Sequence, residues 1–150
     1  RAPITRFKES AMRQLMLCLL SLCLAMPAFA ERKQTFGEVE VHYSVFNSSF
    51  LQPDTAAASG LIRSKSKGVV NVSVLKNGTP QNAVVDGSIK YLTGQVFPLE
   101  FRQVNEQGAI YHLAQFEMEQ REMLVFTLNV KDSDGHSNSF TFHQEVFPEP

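Results

Sequence analysis

EVEVHYSV, residues 38–45, alternates polarity with bulk at every step. Val39, Val41, Tyr43 and Val45 fall on one side of an extended chain, and Glu38, Glu40, His42 and Ser44 fall on the other. A repeat of two is the mark of a strand with one face on a core and one in water. The same period returns downstream, and this decides the fold class. Val70, Val72 and Val74 share a face in 69–76, which ends at Asn77-Gly78, a favoured tight-turn pair. Thr79-Pro80 then removes a ladder N–H. The run 81–92 carries Ala83, Val85, Ile89 and Tyr91 and pauses at Asp86-Gly87. In 95–104, Phe97, Leu99 and Phe101 are expected inward, with Pro98 at the opposite parity marking an edge or a bulge. Asn105-Glu106-Gln107-Gly108 closes a hairpin onto 109–116. The run 123–130 turns at Asp132-Ser133-Asp134-Gly135 into 137–147, where Phe140 and Phe142 share a face.

Seven strands at this spacing predict an all-β domain: a seven-stranded antiparallel sandwich of immunoglobulin-like or fibronectin-III-like architecture. The paired cysteines and core Trp of antibody domains are absent. Phe97, Phe101, Phe116, Phe126, Phe140 and Phe142 recur at strand parity, the spacing of core aromatics.

One stretch breaks the pattern. FLQPDTAAASGLIRSKSKG, residues 50–68, places Pro53 at a first helical position, Ala56 to Ala58 in a helix interior and Gly60 at a stop. One short helix is expected between the first and second strands. Leu61 and Ile62 are expected to anchor the segment, and Asp54, Arg63, Lys65 and Lys67 to form a solvated, partner-binding loop.

Residues 12–34, MRQLMLCLLSLCLAMPAFAERKQ, have the layout of an export signal: Arg13, an apolar run from Leu15 to Ala25, the helix-breaking Pro27, and Ala28-Phe29-Ala30 as a small-x-small cleavage site. The expected division is an upstream extension at 1–11, a signal peptide at 12–30 cleaved after Ala30, and a single domain at 31–150. The apolar run falls short of the ~20 residues of a spanning helix. Cys18 and Cys23 follow Leu17 and Leu22, where processing before a lipidated cysteine wants a small residue. Cleavage removes both cysteines, so neither a disulfide nor thiolate chemistry is expected in the domain. It also removes Arg1, Arg6, Lys8, Arg13 and Glu9, leaving 10 basic and 14 acidic residues, a net of −4. A mildly acidic surface gives no general attraction to nucleic acid.

The mature chain resembles a family of exported Gram-negative bacterial proteins catalogued as a domain of unknown function. The resemblance runs through 31–150 and is carried by HYSVFNSSFLQPD (42–54) and GLIRSKSKGVVNVSVL (60–75). It implies periplasmic export and a β-sandwich, and supplies no catalytic residue.

The residues themselves point away from known chemistries. His42, His112, His136 and His143 show no paired metal-ligand spacing, and no metal or other cofactor is expected. Asp132-Ser133-Asp134-Gly135 starts like a calcium loop but lacks a closing Glu, and reads as a hairpin turn. Ser64-Lys65-Ser66-Lys67 satisfies S-x-x-K without the K-T-G and S-D-N elements that give that motif meaning. Glu117 and Glu119 lie in EMEQRE, a charged connector. The function expected is a non-catalytic periplasmic binding or adaptor module whose partner is a periplasmic protein or envelope component. The alternatives are a structural or stress-related envelope protein, or a small periplasmic enzyme.

Overall fold

The computed structural model describes residues 31–150. The signal peptide and upstream extension expected at 1–30 lie outside the described residues. Ten strands form: β1 (Arg32–Phe36), β2 (Val39–Asn47), β3 (Lys67–Lys76), β4 (Thr79–Pro80), β5 (Val84–Lys90), β6 (Val96–Leu99), β7 (Arg102–Glu106), β8 (Ala109–Glu117), β9 (Glu122–Lys131) and β10 (Ser137–Val146). One sheet runs β1-β2-β3-β8-β7 with β4 paired to β3, and the other runs β10-β9-β5-β6. Every pairing is antiparallel. A 3-10 turn (Ser48–Phe50) and the helix α1 (Pro53–Ser59) lie between β2 and β3.

The antiparallel sandwich is present, and the expected seven strands become ten among the described residues. Two causes account for most of the difference. β1 reads RKQTF, whose charged and amide side chains carry no apolar alternation; it pairs with β2 across Gly37, whose φ of 62° suits glycine. The run 95–104 is divided. Leu99 of β6 lies opposite Gly87 in one sheet, and Arg102 of β7 lies opposite Leu113 in the other. The chain therefore changes sheets at Glu100 and Phe101. Leu99 is buried and Phe101 packs on the core, but Phe97 is 48% exposed, correcting its expected inward position.

Between the sheets, Val41, Val70, Val72 and Val74 meet Ile89, Leu124, Phe126 and Leu128, all essentially inaccessible. Each fully buried side chain of this size stabilises by ~1.5–3 kcal/mol. An aromatic row crosses the layer: Phe116 meets Phe126 edge-on at 5.3 Å, Phe126 stacks on Phe142 at 5.0 Å, and Phe142 meets Tyr43 at 4.5 Å. At the β3–β4 turn, Asn77 and Gly78 both take positive φ, 51° and 79°, the conformation that Asn-Gly hairpins favour.

The first sheet also has a partly covered outer face. Val69 and Leu113 point away from the central core yet are buried, because Leu51, Ala56 and Leu61 lie over them. α1 begins at Pro53 and ends at Gly60, whose φ of 70° is the left-handed cap that glycine supplies. Arg102 Nη1 donates to the Ser59 carbonyl at 2.8 Å, tying the end of α1 to β7.

Candidate functional site

The segment 50–67 is a packed cap on the outer face of the first sheet. Buried Ser48 pins it twice: its Oγ donates to the Ser64 carbonyl at 3.0 Å and accepts the Ser64 N–H at 2.8 Å. The cations expected to meet a partner each have an intramolecular contact. Arg63 donates to the Ser49 carbonyl at 3.2 Å, Lys65 to the Pro150 carbonyl at 3.3 Å, and Lys67 pairs with Glu117 at 3.4 Å. Asp54 is exposed in the first turn of α1. Leu61 packs on the cap cluster as an anchor does. Ile62 is a correction: its side chain is 57% exposed, and the Gln115 side chain holds its backbone instead, accepting from Ile62 N–H and donating to its carbonyl.

His143 is exposed on β10, and the other three histidines occupy different settings. His42 lies between Glu31 at 3.3 Å and Glu40 at 3.1 Å, and its hydrogen bond, aided by the Lys33 charge, holds the Glu40 carboxyl below its usual range. His112, 3% exposed within the sandwich, has an Nε2 without a hydrogen-bond partner, and burial lowers its pKa. His136 joins Asp132 and Asp134, the convergent set of possible metal ligands among the described residues. Asp132 Oδ1 accepts the N–H groups of Asp134 and His136 at 2.9 Å each, and Asp134 pairs with Lys76. That is the geometry of a turn whose carboxylates are already engaged.

A different concavity lies where the chain crosses from β8 in one sheet to β9 in the other. It is a cleft of about 290 Å³ beneath the β5–β6 turn. Ile89, Leu99 and Phe116 give it an apolar floor, and Tyr91 and Phe97, edge to face at 5.6 Å, form an aromatic corner. The rim carries Glu117, Glu119 and Glu122. Tyr91 OH donates to the Glu117 carbonyl at 2.7 Å, and the β5–β6 turn closes through Tyr91 N–H to Gln95 O at 3.0 Å. Burial first, then the charges of Glu117, Glu122 and Glu119, push the Tyr91 phenol up to about 12. Glu122 is 7% exposed and accepts one long bond, 3.4 Å, from Leu92 N–H.

Sequence patterns did not single out this site. EMEQRE reads as a connector because its acidic residues look solvated, and Tyr91 and Phe97 read as ordinary strand aromatics. The one local signal is Glu122 at the head of an apolar alternation, at the parity of Leu124, Phe126 and Leu128.

Two antiparallel sheets with a concavity at their crossover define a β-sandwich domain with an end cleft. Residues 33–149 match DUF4426, a domain of unknown function, and the chain belongs to that family. It is similar to a DUF4426 family protein from Pseudomonas aeruginosa PAO1, whose crystal structure shares 55% identity, with 80% of this chain and 97% of that chain covered and a TM-score of 0.77. It also shares its fold with FetP of uropathogenic Escherichia coli strain F11, at 11% identity, a TM-score of 0.55, and 79% and 95% of the two chains covered. A copper-bound variant of FetP gives the same identity and TM-score over 81% and 92%. Among proteins of curated function none matches the chain. No helix among the described residues is long and apolar enough to cross a membrane.

Proposed function

We propose that this domain is a non-catalytic binding module of the bacterial periplasm, exported by the 12–30 signal and holding a small ligand in the cleft beside Tyr91 and Phe97. The observation that carries this is the cleft itself: a concavity with an apolar floor, two aromatics and a few polar groups, the usual composition of a ligand site. Its residue types support binding over catalysis. Carboxylates, amides and aromatic rings line it, and neither a serine nor a histidine does. The FetP structure comes from protein expressed in the periplasm, which agrees with an exported sandwich of this shape. The cap at 50–67 is the weaker candidate surface, because Arg63, Lys65 and Lys67 each have a contact within the chain. A purely structural envelope role would leave the cleft without a use.

The test is a fragment screen on the 15N-labelled mature domain. Shifts are expected to cluster on the amides of Tyr91, Phe97, Glu119 and Glu122, and Thr93→Trp, which puts bulk on the cleft wall, is expected to abolish them. Hits confined to 50–67, or scattered over both sheets, would transfer the function elsewhere.

A further inference from the structure

We propose that the cleft takes a small organic cation, an ammonium group on a short apolar body. This rests on the cleft being the binding site and adds the chemical class of its ligand.

Charge is the first argument. Among the lining residues three are carboxylates and none is a lysine or arginine. Lys67 meets Glu117 at 3.4 Å without lining the cleft, and Arg121 is engaged away from it, with Glu145 at 2.7 Å and over the Phe147 ring at 4.8 Å. Glu119 and Glu122 have no cationic partner among the described residues.

Glu122 is the second argument. The residue is 7% exposed, and a carboxylate with little water around it is held more strongly by a nearby counter-charge than one in open solvent. The Glu122 carboxylate accepts one long bond, from Leu92 N–H at 3.4 Å, and has no cationic partner among the described residues. A ligand ammonium in the cleft supplies a counter-charge and further donors.

The aromatic corner is the third. Tyr91 and Phe97 present π-electron density beside the carboxylates, and a cation near such faces gains a further attraction. The Tyr91 hydroxyl is already committed to the Glu117 carbonyl, so the ring rather than the hydroxyl is free for the ligand. With its phenol pushed up to about 12, Tyr91 stays neutral and adds no charge of its own near pH 7.

Size and shape separate an organic cation from a metal ion. The convergent metal-ligand set among the described residues is Asp132, Asp134 and His136, remote from this cleft. A bare divalent ion would find Glu117, Glu119 and Glu122 too dispersed to form its shell and would leave Ile89, Leu99 and Phe116 without a partner. An apolar body of a few carbons fills that floor. At about 290 Å³ the cleft is at the lower end of the ~300–1,000 Å³ range of ligand pockets, which favours a small molecule.

The experiment titrates three molecules of matched shape into the labelled mature domain: hexylammonium, hexanol and hexanoate. Hexylammonium is expected to shift the amides of Tyr91, Phe97 and Glu122 with an affinity at least about tenfold above either of the others, and to weaken as salt is raised. Glu122→Gln is expected to remove most of that preference while leaving hexanol binding unchanged. Glu119→Gln, on an exposed side chain, does the same in part and covers the case in which Glu122→Gln misfolds. Asp54→Asn, on the cap, is expected to change nothing. Hexanol binding as tightly as hexylammonium overturns the cation inference and leaves an apolar cleft in place. Tighter hexanoate binding also overturns it. If none of the three shifts the cleft amides, the inference fails; fragment hits at the cleft would then preserve the binding site, and their absence would end both.

Discussion

Gly68 and Phe116 stand opposite one another in the β3–β8 ladder, and a Cβ built on Gly68 would penetrate the Phe116 ring. The ring cannot swing clear, because it is buried and held edge-on to Phe126 at 5.3 Å. Gly68→Ala is therefore expected to destabilise the domain by ~1–3 kcal/mol, the usual cost of forcing atoms into a filled core. Chemical denaturation measures it. Pairing Gly68→Ala with Phe116→Leu is expected to recover part of the loss, and a double mutant no better than the sum of the two singles would count against the clash.

The cap predicts unequal roles for two neighbours. Leu61 packs over Val69 and Leu113, whereas the Ile62 side chain is 57% exposed. Leu61→Ala is expected to lower stability by ~1–3 kcal/mol and Ile62→Ala by no more than ~0.5 kcal/mol. Thermal melts of the two variants give the order directly, and a larger loss at Ile62 would refute the packing described.

Acid is expected to weaken the fold through His112. Burial lowers its folded pKa below the ordinary histidine value of about 6.5, so the unfolded chain binds the proton first as pH falls. The stability tied to the neutral ring is present above about pH 6.5 and is lost as pH drops from there through the folded value. Melting temperatures between pH 7.5 and 5 are expected to fall more steeply for the native chain than for His112→Gln. Parallel curves would show that another group controls the transition.

Alkali acts in the opposite sense at Tyr91. Its folded pKa is raised from 10.0 to about 12, so the folded chain keeps the proton that the unfolded chain releases. The contribution is intact below about pH 10 and disappears as pH rises towards 12. A spectroscopic titration is expected to show a late tyrosinate step that Tyr91→Phe removes. Retention of that step in the variant would assign it to another tyrosine.

Much of this fold is legible in the chain because β2, β9 and β10 bury one face each, as β3 does away from the cap, and a two-residue period records that directly. The helix is legible too, since Pro53 and Gly60 mark its ends by backbone geometry. β1 is hidden because an edge strand can bury the stems of Arg32 and Gln34 and leave no apolar stripe. The break between β6 and β7 is hidden because apolar alternation continues through Leu99 and Phe101 while the hydrogen-bond partner changes. The cleft is harder still to read. It draws on a turn, four strands from the two sheets and a connector, and the local sequence of each looks ordinary.

The anchoring of the cap by the segment that follows β10 has a kinetic corollary. Asn47 donates to the Phe147 carbonyl at 2.9 Å, Ser49 meets Glu149, and Glu149 N–H donates to the Lys65 carbonyl at 2.9 Å. The first two of these contacts span 100 residues of chain. Loops that long close late, after local hairpins have formed. The docking of residues 147–149 onto the cap is thus expected late in folding. A chain that has assembled its sheets but not laid down the cap would bare Val69 and Leu113, offering chaperones and proteases a checkpoint that the finished domain conceals.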